Sequence, residues 1–227
     1  MRFKDVFSII GPGMVGPSSS HTAGAVRLGR VARHLFGSRP ERVEITLYGS
    51  FAETYRGHGT DLALIAGLLD FDTDDLRIRQ AAELAEEAGM EVVFQTSAKA
   101  PAHPNTARLV LHGGGRSDSV TGSSIGGGNI EITSVNDYDV KFTANYPTLL
   151  VFHKDRPGMI AAITQLLSAR QVNISTMDVD RKGRSEDALT VIETDEAVPD
   201  LLRQLISQLP DVSRVAVLDL TNKEGEP

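Results

Sequence analysis

The chain contains no cysteine and no tryptophan, and aromatic residues fill only 5% of its 227 positions. Without cysteine there is no disulfide, no thiolate nucleophile, no cysteine-ligated zinc and no iron–sulfur cluster held by this chain's own thiolates. Long apolar runs are missing as well: the longest, Leu62 to Leu69, falls well short of the ~18 residues of a membrane-spanning helix. The apolar stretch Val6 to Ile10 stops at Gly11-Pro12, too short and interrupted for a secretory signal. Basic charge is in deficit, 23 Lys and Arg against 30 Asp and Glu, and the net charge of -7 repels nucleic acids and anionic membranes. The expectation is a cytoplasmic protein with neither nucleic-acid nor membrane partners.

What is present suits a folded chain, with 41% hydrophobic and 23% charged residues. The length allows two modest domains, and the seam is expected between Asp137 and Pro147, giving units 1–145 and 146–221 with a short tail, 222–227. The second unit reads as βαββαβ. Leu149 to His153 is a strand, and Ile160, Ile163 and Leu167 mark a helix with Pro157 in its first turn. Val172 to Thr176 and Leu189 to Thr194 are strands around a Lys182-Gly183-Arg184 hairpin turn. A second helix opens at Pro199 with Val198, Leu201, Leu202, Leu205 and Leu209 on one face, and Val212 to Leu220 closes the sheet. This order is a ferredoxin-like plan, so the fold class is α+β.

The first unit is mixed α+β with more loops. A glycine-rich loop, Gly11 to Gly16, leads through Pro17-Ser18-Ser19-Ser20-His21-Thr22 into a helix with Leu28, Val31, Ala32 and Leu35 on one face, closed by Gly37. Val43 to Leu47 alternates as a strand. Helices follow after Thr60-Asp61 and from Leu76 to Ala88, then strands at Glu91–Gln95, Ala107–His112, Ser117–Gly122 and Asn129–Val135.

Hydroxyls and free backbone N–H groups at Ser18 to Thr22, at a helix entrance, suit a carboxylate or phosphate, although an ordinary N-cap accounts for the same residues. Arg27, Arg30 and His34 lie opposite the apolar stripe, as a solvated face or a surface for an acidic partner. Gly57-His58-Gly59-Thr60-Asp61 sets an imidazole between two glycines, which fits a general base and equally a surface turn. His103-Pro104-Asn105 and Ser124-Ile125-Gly126-Gly127-Gly128 are loops able to approach a ligand or another subunit. His21, His58, His103 and Asp61 match no local metal-ligand spacing, so no metal site is expected. In the second unit, the helix start at Asp155 to Met159 and the Asn173-Ile174 strand start are expected to lie together and grip an amino acid.

These four motifs of the first unit, in this order, resemble the β chain of iron–sulfur-dependent bacterial L-serine dehydratase, and residues 148–220, with Asp155-Arg156-Pro157-Gly158 and Val172-Asn173-Ile174, resemble an ACT domain. The resemblance implies a lyase that converts L-serine to pyruvate and ammonia. It implies an α chain that carries a [4Fe–4S] cluster acting as Lewis acid, with this chain inactive alone. It further implies His58 as candidate base with Thr60 and Asp61 beside it, Ser18 to Thr22 as substrate or anion loop, and His103, Asn105, Ser124, Gly126 and Gly127 as interface loops. The ACT resemblance implies an amino-acid effector site at Asp155, Pro157, Gly158, Met159, Asn173 and Ile174, and a homodimer through the ACT domains. The first unit also resembles the allosteric substrate-binding domain of some phosphoglycerate dehydrogenases. Two other readings stand beside this one: a non-catalytic amino-acid sensor, and a regulatory tail of a phosphoglycerate dehydrogenase, which would need a dinucleotide fold upstream.

Overall fold

The computed structural model describes residues 13–220. The expected features at Val6 to Pro12 and in the tail 222–227 lie outside the described residues. The chain divides between Asn136 and Asp137 into two compact units.

In the first unit a single π-helical turn, Ser19–Ala23, runs directly into helix α1, Gly24–Phe36. Strand β1, Arg42–Tyr48, is followed by helices α2, Gly49–His58, and α3, Thr60–Leu68. A 3-10 segment, Leu76–Gln80, leads into α4, Ala81–Glu87, where the sequence suggested one helix. Strands β2, Glu91–Ser97, β3, Thr106–Gly113, β4, Arg116–Gly126, and β5, Asn129–Val135, complete the unit. The strands lie in the order β2-β1-β3-β4-β5, with β1 and β2 parallel and the other pairs antiparallel.

Alternation decides which face of this sheet is buried. Val43, Ile45 and Leu47 stand opposite Leu111, Leu109 and Ala107, and all six are fully buried. The expected stripe of α1, Leu28, Val31, Ala32 and Leu35, is buried too, but Ala25, Val26 and Gly29 are as well, so the helix is enclosed on most sides. Gly29 and Gly67 explain the second contact. A Cβ on Gly29 would fall on the Leu64 carbonyl, and one on Gly67 on the Val26 carbonyl, so α1 and α3 cross backbone to backbone.

The second unit contains β6, Tyr138–Phe142, β7, Thr148–Lys154, α5, Met159–Ala169, β8, Ile174–Arg181, β9, Asp187–Thr194, α6, Asp200–Ser207, and β10, Val212–Leu218. From β7 onward this is the expected βαββαβ order, in an antiparallel sheet ordered β10-β7-β9-β8. Leu149, Val151 and Ile192 of the sheet meet Met159, Ile163 and Leu167 of α5 and Leu202 and Ile206 of α6 in one core. Local expectations shift in three places. Pro157 stands ahead of α5 rather than in its first turn, because Gly158 at φ 89 is the N-cap. Leu201 is half exposed, and the buried stripe of α6 runs through Leu202 and Ile206, four residues apart on one face. Strand β8 begins at Ile174 and reaches Arg181, beyond the expected Thr176.

Candidate functional site

The π turn is the pivot of the first unit's site. Ser18 caps it, its Oγ accepting from the His21 N–H at 3.2 Å, and the wide turn carries the His21 ring toward α2. There the ring meets His58 edge-on, with centroids 4.8 Å apart, and Phe51 at 5.2 Å. The two imidazole nitrogens face hydroxyls: Ser18 Oγ lies 3.4 Å from Nδ1 and Ser50 Oγ 3.4 Å from Nε2. Burial, and then the neighbouring His58, lower the His21 pKa below its ordinary value, so this ring is held neutral.

His58 is exposed and does not sit in a loop, as its glycine neighbours suggested. It is the last residue of α2, which Gly59 closes at φ 70 in the left-handed region before Thr60 starts α3. The ring therefore projects from a junction of two helices. Asp61 Oδ1 accepts from the Leu62 N–H at 2.9 Å and braces the first turn of α3.

The other two loops join the same site. The Pro104 carbonyl accepts from the Phe51 N–H at 3.4 Å, the Asn105 carbonyl accepts from the Ser124 N–H at 2.9 Å, and His103 Nδ1 accepts from the Asn105 N–H at 3.2 Å. Ser124 in turn lies against α1, where a Cβ on Gly24 would overlap its side chain. The four motifs, far apart in sequence, thus converge around the π turn. Three hydroxyls at this convergence, Thr22 Oγ1, Thr60 Oγ1 and Ser124 Oγ, are buried without a hydrogen-bond partner. Such groups are uncommon in folded proteins.

Arg27, Arg30 and His34 are neither a solvated face nor a surface for an acidic partner. Arg30 is buried, its Nε donating to Asp70 at 3.1 Å and its NH1 to Asp72 at 3.4 Å, while His34 Nε2 lies 2.8 Å from the same Asp70 carboxylate. Burial alone would raise the Asp70 pKa, but the hydrogen bonds and charges of His34 and Arg30 hold it below the ordinary carboxylate value. Arg27 NH1 donates to the Gly128 carbonyl at 3.1 Å, fastening the glycine turn next to Ser124. Ser50 and Phe51, the neighbours of His21, were not singled out in the sequence. Only Phe51 of α2 is fully buried, so that segment has no apolar periodicity to reveal it.

The residues expected at an effector site in the second unit are not brought together within one chain. Asp155 to Met159 follow the end of β7 at Lys154, opposite Asp187, whereas Ile174 stands opposite Thr194 at the other end of β9, about 24 Å away at ~3.4 Å per residue. Asp155 accepts from Arg181 at 3.1 Å and from the Ser185 N–H at 3.4 Å. Asn173 Nδ2 donates to Asp195 at 2.6 Å. A groove of about 630 Å³ runs along α5 to Asn173 and Ile174.

Residues 3–91 match the family model described as serine dehydratase beta chain, and residues 147–211 match the ACT domain model. A probable L-serine dehydratase, beta chain, of Bacillus subtilis (strain 168) is 48% identical over 95% of this chain and 98% of its own length. This chain belongs to the serine dehydratase β-chain family. The L-serine dehydratase, beta chain, of Peptoniphilus asaccharolyticus is 37% identical over 91% of this chain and 94% of its own. A D-3-phosphoglycerate dehydrogenase of Synechocystis is 31% identical over 83% of this chain but only 34% of its own length, so the aligned part belongs to a longer protein. Among the described residues no helix is long and apolar enough to cross a membrane.

Proposed function

We propose that this chain is the β subunit of an L-serine dehydratase, a lyase that works as an α–β complex in the cytoplasm and converts L-serine to pyruvate and ammonia. Relatives named as β chains of this enzyme align over nearly the whole of it. The observation that carries the reading is the contact of His21 with His58, which joins the serine-rich motif to the Gly-His-Gly-Thr-Asp motif at one point.

In this reading the exposed His58 imidazole takes the α-proton of serine, and the electron pair of that C–H bond forms a C=C bond as the C–OH bond breaks. The departing hydroxide takes up a proton, which balances the one held by His58, and leaves as water; the enamine then hydrolyses to pyruvate and ammonia. The Ser19 and Ser20 N–H groups at the start of the π turn, with their hydroxyls, receive the carboxylate at the positive end of α1. Thr60 and Asp61 fix the start of α3 behind His58, and the loops at His103, Asn105, Ser124, Gly126 and Gly127 face the α chain. The [4Fe–4S] cluster that the family implies does not fit this chain's own donors. It has no cysteine, and among the described residues no group of three or more His, Asp or Glu converges. The cluster therefore falls to the α chain.

Anaerobic co-expression with an α chain tests this reading. The complex is expected to form pyruvate from L-serine, and the chain alone is not. In the complex His58→Asn, which keeps size and hydrogen bonding, should lower kcat by about 10²- to 10⁴-fold while subunit association persists. A kcat near the wild-type value would remove His58 as base.

We further propose that the ACT unit binds an amino acid across a homodimer. The outer edge of β8 has no neighbour in its sheet order, and Met177 and Val179 beside it are exposed. Antiparallel pairing of two β8 strands about a two-fold axis carries the Asp155–Met159 turn of one protomer toward Asn173 and Ile174 of the other.

A further inference from the structure

Strand β6 is fastened to β8 by side chains. Lys182 Nζ donates to the Asp137 carbonyl at 2.6 Å. Asp180 accepts from the Asp139 N–H at 2.8 Å, and Asp178 accepts from the Lys141 N–H at 2.9 Å. The next step is relayed by the buried Glu193, which accepts from the Thr143 N–H at 3.1 Å and from the Thr176 hydroxyl at 3.0 Å. Main-chain groups 137, 139 and 141 thus meet side chains 182, 180 and 178 in antiparallel register, two residues at a time, and 143 and 176 continue it through Glu193. Tyr138, Val140 and Phe142 fill the buried side of the same strand.

The face that makes these bonds is the one away from the helices. Met177 stands opposite Ile192, which packs into the helix-side core, so Met177 and Val179 point to the helix side, and Thr176, Asp178 and Asp180 to the other. One edge strand therefore turns one face to the helix side, where its first residue Ile174 lines the groove along α5, and the other face to β6. Strand β6 begins immediately after Asn136 and Asp137, both at positive φ, where the first unit ends.

We propose that the alternating Thr176, Asp178 and Asp180 side chains of β8, with Lys182 just beyond its end and Glu193 of β9, couple amino-acid binding at the ACT unit to the strand that joins the two units. This rests on the reading that the ACT unit binds an amino acid. Toward β8 the strand is held by side chains and not by a backbone ladder, so its hold on that side follows each small shift or ordering of the strand that carries them. Ligand that orders β8 tightens β6 at the same time.

Residue-resolved hydrogen exchange on the full chain, with L-serine as probe, tests this. L-serine is expected to slow exchange of the amides of Asp139, Lys141 and Thr143 by about fivefold or more. The double variant D178A/D180A should speed exchange at 139 and 141 by roughly tenfold without ligand and abolish the response to L-serine. Glu193→Gln, which keeps the shape of the relay, should weaken the response at 143 only. Calorimetry on the same samples separates the two ways to fail. If L-serine does not bind the wild-type chain, the effector reading falls. If it binds but leaves these amides unchanged, or if D178A/D180A responds as the wild type does, the coupling is wrong.

Discussion

His21 is enclosed by Phe51, His58 and two serine hydroxyls, and its lowered pKa has a consequence for stability. The folded pKa lies below the ~6.5 of a free imidazole, so the unfolded chain binds the proton more tightly. Stability is therefore fully present above about pH 6.5 and is lost as pH falls from there through the folded pKa. Urea midpoints compared at about pH 7.5 and 5.5 should show a smaller acid loss in His21→Gln than in the wild type, and an equal loss would mean that the ring titrates as if exposed. A second expectation concerns the unpartnered hydroxyls. Thr60→Val removes a buried oxygen that bonds to nothing, so the isolated chain should gain up to about 1 kcal/mol in urea unfolding. If the hydroxyl is used in the α–β complex, the same variant loses activity there. At this scale the motif residues could be read from sequence because each has a distinctive chemical type. Their convergence could not, since it depends on Gly24 admitting Ser124 and on a wide turn that no local pattern announces.

Elements were legible where an apolar period was present. Strand β1 and helix α1 announce their buried faces, and the second unit from β7 to β10 follows its pattern almost throughout. Helix α2 was hidden because Gly49, Thr54 and Gly57 weaken helix propensity and Phe51 alone is fully buried. Strand β6 alternates Tyr138, Val140 and Phe142 and could have been read from that period, but it falls inside the segment expected to be the seam. The glycines of α1 and α3 read as weak points of a helix and are in fact its closest contact. Gly29→Ala sets a methyl against the Leu64 carbonyl, backbone that cannot step aside, and should destabilise the chain by about 2 kcal/mol or more in urea unfolding. Gly57→Ala, where a Cβ meets nothing within 4 Å, is the control and should change stability little or even raise it. Equal effects of the two would show that α1 and α3 do not cross at Gly29.

At the scale of the molecule, the chain joins a unit whose motifs converge on one point to a unit whose expected effector residues stay apart. The βαββαβ order suggested that Asp155 and Asn173 would be neighbours, and the sheet register places them at opposite ends of β9. Pairing of β8 edges reconciles the two, and it yields a prediction stricter than a mass measurement. Light scattering should give twice 24.4 kDa at micromolar concentration, and Val179→Lys, a charge on the pairing edge, should return the mass toward 24.4 kDa and weaken L-serine binding with it. Each two-fold dimer then holds two sites, each taking its turn from one protomer and its amide from the other. Asp155→Ala and Asn173→Ala, prepared separately, damage both sites of their own dimers. When the two variants are mixed and allowed to exchange, half of the dimers become mixed, and in each of these one site carries both changes and the other carries neither. Calorimetry should therefore recover tight L-serine binding in about a quarter of all sites. Binding that stays lost after exchange has been shown by mass would mean that each site is built within a single protomer, against the separation seen along β9.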